Sequence, residues 1–353
     1  MEPVTHLLTG ACLGRAGLNR KTALATLTLT LATEAPDIDF VAYFGGSVTG
    51  FAHHRGFTHT LLGVPFVAGL TLAAVYGIYR LTKNRGRAAQ QLPNWKLLYA
   101  YAVFGGLMHI FQDFTNNYGV RPFAPFNPKW YSWDIVFILD PFMLFALFLA
   151  LFVPGLIGLV TSEIGEAKKP FRGRAGAIAA LVCLALAIFV RHIEHRRAVN
   201  ALESITYQGA DPVRASAYPG PWNPFAWRGL VETQASFQVL PVDALSGDVD
   251  PQKQAVTIYK PEETPVTLAA KESRLGRVYL DWAQYPLVEE AARPEANFHL
   301  VRFQDLRFAT LTDLRGRIAS VLAGHVLLDP QLHVVEESMG AAPRQAKAHQ
   351  PLP

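Results

Sequence analysis

The 353-residue chain is 50% hydrophobic and only 17% charged, with a formal net charge of +4. Because soluble domains carry about 25% charged residues, this composition argues against an ordinary cytosolic globule and against a disordered chain. The charge is also unevenly placed, since residues 1–200 carry a net charge of +8 and residues 201–353 one of −4. We therefore expect two regions that contact different solvents.

Apolar stretches in the first 200 residues predict about four membrane-spanning helices. A helix needs about 20 apolar residues to cross a bilayer. The stretches that meet or approach this length are 61–81, 97–111, 135–160 and 176–190. Two stretches before them, 4–16 and 22–35, are expected to form a re-entrant or tucked helix pair, because about 13 residues reach only about 20 Å. The N-terminus lacks a basic n-region and is not expected to be a removable signal peptide.

The basic residues between the apolar stretches predict the orientation. Segments 83–96 and 168–174 are rich in Lys and Arg, and the positive-inside rule places such loops in the cytoplasm. The basic residues at 15–21 agree, whereas the cluster at 191–197 favours the opposite orientation. Weighing the first three segments above the last, we expect the polar ends of the helices and the C-terminal region on the extracytoplasmic side.

After about residue 200, short stretches rich in Val, Phe, Tyr and Trp are separated by Pro, Gly and Asp, which is typical of strands. The predicted strands are 235–239, 255–259, 277–282, 298–303 and 325–328. The predicted fold is a mainly α polytopic membrane domain followed by a smaller β-rich soluble domain. The domains are expected at 1–197 and 198–339, with a disordered tail at 340–353.

Ionisable residues within or beside membrane spans are costly, so each is a functional candidate. In the first 140 residues they occur in four short segments, which the predicted topology brings to one side of the membrane. These residues are His6; Glu34, Asp37 and Asp39; His53, His54, Arg55 and His59; and His109 with Asp113. Two cysteines in apolar stretches, Cys12 and Cys183, provide neither a disulfide framework nor an expected nucleophile.

Each segment allows a functional and a structural interpretation. His109 and Asp113 share one helix face, which suits a metal chelate or a hydrogen-bonded structural couple. Asp37 and Asp39 follow a proline, where an extended or turn conformation would point both the same way, toward a metal or simply into a turn. Arg55 suits an anionic substrate oxygen or a snorkelling position. Together, nitrogen and oxygen donors without thiolate favour a divalent metal centre of zinc, manganese or iron.

These motifs resemble the YdjM-type family of membrane-bound, metal-dependent hydrolases of the inner membrane. The resemblance covers about residues 1–145 closely and extends more loosely to the segment 221–227. One departure is Thr60, where many relatives have Ser. The matching strings are Thr5-His6, Pro36-Asp37-Ile38-Asp39, His53-His54-Arg55-Gly56-Phe57-Thr58-His59 and His109-x-x-x-Asp113.

The donor set, strengthened by the resemblance, predicts a divalent metal, zinc first, that activates water and polarises a phosphoryl or acyl oxygen. Its expected ligands are His6, Asp37, His59, His109 and Asp113. Asp39 or Glu34 would orient a ligand or act as the general base. His53, His54 and Arg55 would bind the charge of the substrate. A site at the membrane edge favours a phosphoester or another bond of an amphiphilic substrate, such as a phospholipid or a lipid-linked phosphate.

Two other functions remain open. The polar cluster could couple ions or protons to membrane transport. Alternatively, the protein could be a non-catalytic membrane anchor with a structural metal, whose C-terminal domain binds a partner. Direct nucleic-acid binding is not expected, because the C-terminal region is acidic and the basic residues of the first region lie mainly in loops.

Overall fold

The computed structural model describes residues 1–82, 92–163, 173–291, 298–309 and 322–340. Helices dominate up to residue 203, and two antiparallel sheets follow, which confirms the predicted order of a helical and a strand-rich region. Six of the basic residues used to predict the orientation, in segments 83–87 and 168–172, lie outside the described residues, as does all of the predicted tail beyond residue 340.

Two short helices at the start of the chain pack against each other. Helix α1 spans Pro3–Arg15 and α2 spans Ala25–Ala32, with a 3-10 turn at Leu18–Arg20 between them. Glycine permits their close approach, because a Cβ at Gly10 would lie 2.4 Å from the carbonyl oxygen of Leu29. The predicted pair of short helices is therefore confirmed.

Longer helices follow, after a region of 3-10 and short α-helical segments. Two 3-10 segments, Ala35–Gly45 and Phe57–His59, lie on either side of α3. Helix α5 packs against both α2 and α4, and α6 packs against α7. The bounds are α3 (Ser47–His53), α4 (Val64–Thr82), α5 (Trp95–Thr115), α6 (Pro141–Glu163) and α7 (Arg174–Glu203).

Two described helices, α4 and α7, are long and apolar enough to cross a membrane by length and composition, and α6 has a shorter apolar part at Pro141–Ile157. The prediction of about four spans is therefore wrong for the described part of the chain. Helix α5 falls short because its last two turns carry buried polar residues, including His109, Gln112 and Asp113.

Helix α7 continues well beyond the predicted end of the last span at residue 190, as far as Glu203, and packs against the first sheet. Arg191 lies within it and is only 5% exposed. Its Nη2 atom lies 2.7 Å from Oδ2 of Asp140, so this arginine neutralises a buried carboxylate. Arg191 is thus a structural residue rather than a free basic charge flanking a span.

The C-terminal region contains two four-stranded antiparallel sheets, each with its strands in chain order. Four of the five predicted strands coincide with β3, β4, β6 and β7. The strands are β1 (Arg214–Pro219), β2 (Ala226–Glu232), β3 (Ser236–Asp243), β4 (Val256–Tyr259), β5 (Pro286–Glu290), β6 (His299–Asp305), β7 (Gly324–Leu328) and β8 (Val334–Met339). The short helix α8 (Pro251–Gln254) connects β3 and β4 within the first sheet, and α9 (Pro265–Lys271) and α10 (Arg274–Trp282) lie between the two sheets along the chain.

The predicted strand at 277–282 is wrong, because this segment forms most of α10. The Ser273 side chain caps the helix by accepting a hydrogen bond from the Gly276 backbone N–H. Leu275, Tyr279 and Trp282 recur at helical spacing and are buried. The apolar residues that resembled an alternating strand are thus the buried face of a capped helix.

The C-terminal region packs against the helical region at the loop that follows α5. Trp282 Nε1 donates a hydrogen bond of 3.1 Å to the carbonyl oxygen of Tyr118. Arg307 Nη1 donates one of 2.6 Å to the carbonyl oxygen of Asn117. The Phe51 ring of α3 also packs against the Trp282 ring. The two regions therefore meet beside the polar end of α5.

Candidate metal centre

Four metal-ligating side chains from three segments meet inside the helical region. Asp37 comes from the 3-10 segment Ala35–Gly45, His59 ends the second 3-10 segment, and His109 and Asp113 lie near the end of α5. One possible ligand atom from each side chain lies within 4.8 Å of all the others. All but Asp37 are buried, and Asp37 is half-buried. The structure thus brings together four of the five predicted ligands.

The distances within this group match those around a metal ion. The Nε2 atoms of His59 and His109 are 3.0 Å apart. From His59 Nε2, Asp37 Oδ1 lies at 3.3 Å and Asp113 Oδ2 at 3.5 Å. From His109 Nε2 the same two oxygens lie at 3.5 and 3.4 Å. Donors bound at about 2.0–2.1 Å in a tetrahedron are about 3.3 Å apart, so the four atoms fit a zinc-sized ion.

A close approach of two helices orients His109. A Cβ at Gly105 of α5 would lie 2.7 Å from the Cβ of Ala32, so glycine is needed at this crossing. The crossing places Nδ1 of His109 2.7 Å from the carbonyl oxygen of Thr33, to which it donates. With the proton on Nδ1, the lone pair of Nε2 faces the cluster. The adjacent glycines Gly105 and Gly106 in an apolar stretch are the sequence signal for such a close approach.

Asp39 orients His59 from the opposite side of the ring. Its Oδ2 atom lies 3.2 Å from His59 Nδ1 and accepts a hydrogen bond of 2.7 Å from the Arg55 backbone N–H. Asp37 meets the same ring at Nε2, because the segment is a 3-10 helix with about three residues per turn. The segment is therefore not the extended or turn conformation in which both carboxylates would point the same way, and they reach different nitrogens of one histidine.

His6 lies beside this group rather than inside it. Its ring stacks on that of His109 with 3.9 Å between the centroids, and its Nε2 lies 3.4 Å from Asp113 Oδ1. Nδ1 lies 3.1 Å from Oε1 of Gln112, whose amide nitrogen donates to Thr9 Oγ1 at 2.9 Å. His6 Nε2 is buried and makes no hydrogen bond in the described part of the chain, so it is available to a cation.

Asp113 uses its two oxygens differently. Oδ1 accepts a hydrogen bond of 2.8 Å from Arg55 Nη2 and also contacts the amino group of Met1. Oδ2 faces the two Nε2 atoms and makes no hydrogen bond among the residues described. One oxygen is thus held by a cationic side chain, while the other points into the cluster.

Arg55 is built into the site. It is 4% exposed and adopts a left-handed backbone conformation with φ of +52°. Besides Asp113, its guanidinium donates to Asn116 Oδ1 at 3.2 Å and to the carbonyl oxygen of Gly119 at 2.9 Å, and it lies 4.7 Å from the Tyr118 ring centroid. These contacts hold Asp113 in place and leave the guanidinium little freedom to capture a substrate.

The remaining predicted site residues lie around the cluster and differ in how exposed they are to solvent. His54 Nδ1 lies 3.3 Å from Asp39 Oδ1, whereas His53 is exposed at the end of α3. No hydrogen bond or ion pair within the described ranges joins the His53 ring to the cluster. Glu34 is half-buried, and its buried Oε2 lacks a hydrogen-bond partner there. Burial, reinforced by the charge of Asp37, raises the pKa of Glu34 to about 7.

The carboxylates create a negative field at the facing imidazole nitrogens. Burial lowers the pKa of His59, but the carboxylates of Asp113, Asp37 and Asp39 that face its ring nitrogens outweigh it and raise this pKa to about 10. Burial acts in the opposite direction on Asp37, yet His109 and His59 bring its pKa below the ordinary range. A field that retains a proton on a buried imidazole also favours a divalent cation at the same place.

Three groups that position the ligands were missed from the sequence. Gln112 holds His6, the backbone carbonyl of Thr33 holds His109, and Asn116 holds Arg55. A polar residue directly before Asp113 on an apolar helix was a usable signal for Gln112. The carbonyl of Thr33 carries no side-chain signal, so only the packing of α2 against α5 reveals it.

Comparison with known proteins gives two matches. The family model described as YdjM inner membrane protein matches residues 1–198, which include every residue of the cluster. The uncharacterized protein YfhP of Bacillus subtilis (strain 168) is 28% identical over 151 residues, which are 40% of this chain and 43% of YfhP. The match thus spans less than half the length of this curated relative. No solved structure matches the chain.

Proposed function

Since this chain belongs to the YdjM inner membrane protein family, we propose that it is a membrane-bound, metal-dependent hydrolase. The main support is the convergence of two Nε2 atoms, from His59 and His109, on one carboxylate oxygen each from Asp37 and Asp113. Each imidazole is held at Nδ1 by an oxygen acceptor, as in metal-binding histidines generally. His6 supplies a third imidazole at the edge.

The donor set defines the class of ion. Two imidazoles and two carboxylates without thiolate suit zinc, with manganese or iron as alternatives. When bound, such an ion supplies a Lewis acid and lowers the pKa of water. The surrounding residues position the ligands: Asp39 fixes His59, and Arg55 fixes Asp113. We therefore assign Arg55 to positioning instead of substrate capture.

Glu34 is our candidate for the general base. Both oxygens of Asp39 already contact neighbouring side chains or backbone, whereas Oε2 of Glu34 is buried without a partner in the described part of the chain. In the proposed reaction the oxygen of water bonds to phosphorus, the phosphoester P–O bond breaks, and Glu34 accepts the water proton. That proton then passes to the departing alkoxide. His53 and His54 are proposed to contact the anionic group of the substrate.

We propose an amphiphilic substrate, such as a phospholipid or a lipid-linked phosphate, because the cluster lies beside α4, a candidate span. The C-terminal region packs at this end of the helices, and we propose that this end faces the extracytoplasmic side. The burial of Arg191 against Asp140 supports this orientation, because it removes one of the basic residues that favoured the opposite one.

The proposal is tested on the full-length protein, purified in detergent with zinc. We expect stoichiometric zinc and cleavage of bis(p-nitrophenyl) phosphate or phospholipid vesicles. Both are expected to be lost in His109→Ala. The control is His333→Ala, which removes an exposed histidine from another His and Asp pair four residues apart. Zinc binding without product would refute hydrolysis of these substrates. A flux that requires a transmembrane gradient would instead favour transport. The absence of both hydrolysis and transport would favour a membrane anchor.

A further inference from the structure

An apolar groove lies beside the metal centre, between the 3-10 segment Ala35–Gly45 and α4. Its volume is about 520 Å³, within the range of about 300–1,000 Å³ that is typical of small-molecule sites. The side chains of Leu31, Val67 and Leu70 are among those that line it, together with Ala74. The groove thus follows α4 for about two turns.

The groove and the metal centre share a residue. Asp37 lines the groove, and its Oδ1 atom lies 3.3 Å from His59 Nε2. Glu34 also lines the groove, and these two carboxylates are its only ionisable lining groups among the described residues. A bound molecule would therefore be polar where it meets Asp37 and apolar along α4.

The apolar part of the groove lies along a candidate membrane span. Helix α4 passes the test of length and composition for crossing a bilayer. Phe66 and Leu70, on the part of α4 nearest the cluster, are 62% and 63% exposed. Exposed apolar side chains of this size on a membrane helix face hydrocarbon. A lipid could thus enter the groove sideways from the bilayer.

The surroundings of the groove favour a lipid chain over a protein helix as its occupant. Residues 67 and 74, the first and last residues of α4 that line it, are about 10 Å apart. A carboxylate-bearing end and a short apolar wall on a candidate membrane span match the polar and apolar parts of one lipid.

We propose that the groove binds one hydrocarbon chain of a phospholipid whose headgroup ester lies at the metal centre. This inference rests on the proposed function and specifies its substrate class. The chain would contact Leu31, Val67, Leu70 and Ala74, and the ester would lie next to Asp37. Because Asp37 borders both places, a chain bound in the groove brings the ester next to the metal centre.

The test uses the full-length protein in phosphatidylcholine nanodiscs that contain phosphatidylglycerol with a photoreactive diazirine in one acyl chain. After illumination, mass spectrometry maps the labelled residues. We expect the label on the groove-lining residues of α4. Ala74→Trp fills the groove and is expected to lose this label. Ala73→Trp is the matched control, because Ala73 is the exposed neighbour on α4 that does not line the groove.

Label spread evenly over the exposed residues of α4 and α7 would overturn the proposal, since this indicates surrounding lipid only. Equal labelling of Ala74→Trp and the control would also overturn it. Zinc content is measured in both variants and shows whether the site is intact. If wild-type labelling is confined to the groove but no ester is cleaved, the proposal that the groove binds a lipid chain is supported and the hydrolase proposal fails. If soluble bis(p-nitrophenyl) phosphate is cleaved without groove labelling, the hydrolase proposal is supported and the proposal that the groove binds a lipid chain fails.

Discussion

Arg307 Nη1 donates a hydrogen bond of 2.6 Å to the carbonyl oxygen of Asn117, and through this contact the C-terminal region holds the loop that follows α5. The next residue toward the cluster, Asn116, accepts a hydrogen bond from Arg55, which pairs with Asp113. A short chain of contacts therefore connects a β-rich region to a ligand of the candidate metal centre. We therefore expect the C-terminal region to help position Asp113.

Replacing Arg307 by Met should destabilise the protein by about 3–5 kcal/mol, because Asp305 would remain buried without its partner at 2.8 Å. Thermal unfolding in detergent measures the effect. Lys271→Met breaks an ion pair with exposed Glu263 and should cost less than about 1 kcal/mol. Equal unfolding temperatures for Arg307→Met and the wild type would show that the contact with Asn117 contributes nothing.

Asp39→Asn should weaken zinc binding by about 10–100-fold, the range found when a partner of a ligating histidine is removed. The reason is that His59 loses the carboxylate that holds its Nδ1 at 3.2 Å. Competition with a chromogenic chelator measures the affinity. Asp329→Asn serves as the control, since Asp329 pairs with the exposed His333. An unchanged affinity in Asp39→Asn would remove Asp39 from the site.

Gly105→Ala should destabilise the protein by about 1–3 kcal/mol, because its Cβ would lie 2.7 Å from that of Ala32. The shift of α5 should also lower zinc affinity through His109. Gly77→Ala is the matched control on α4, where nothing lies within 4 Å of the added Cβ. In a helix this substitution should be neutral or stabilise by up to about 1 kcal/mol. Similar effects of the two variants on stability would contradict the need for glycine where α5 crosses α2.

Asp134→Asn should raise stability at neutral pH but not in acid. Burial raises the pKa of Asp134 to about 6, although Arg307 acts in the opposite direction. The folded chain therefore binds this proton more tightly than the unfolded chain, so the free energy of unfolding falls as the pH rises from about 4 to 6. Asparagine lacks this titration and tolerates the left-handed backbone, at φ of +59°. Unfolding temperatures of Asp134→Asn and the wild type are measured at pH 4 and pH 8. The variant should unfold at a higher temperature than the wild type only at pH 8.

The sequence predicted the members of the cluster better than the structure around them. Residues such as His109 and Asp113 were recognisable because ionisable groups on apolar helices are costly. The 3-10 conformation around Asp37 was missed, because the Pro-Asp-x-Asp spacing is compatible with turns, extended chain and helix alike. The contact between Arg307 and Asn117 joins residues 190 positions apart, and no local pattern in the sequence indicates it.

The prediction of about four membrane spans is wrong for a related reason. Residues 97–111 are apolar enough to suggest a bilayer helix, but the structure uses the end of α5 to bury the polar cluster. Similarly, the apolar spacing in α10 serves its buried helical face, although its Val, Tyr and Trp favour strands. In both places tertiary packing outweighed the local pattern.

Zinc K-edge X-ray absorption of the purified full-length protein is the sharpest test of the metal centre. We predict one tightly bound zinc with nitrogen and oxygen neighbours at about 2.0–2.2 Å and no sulfur. The imidazole signal should decrease in His59→Ala and His109→Ala but not in His333→Ala. Failure to retain any divalent metal, or an unchanged spectrum in both cluster variants, would contradict a metal centre at this cluster.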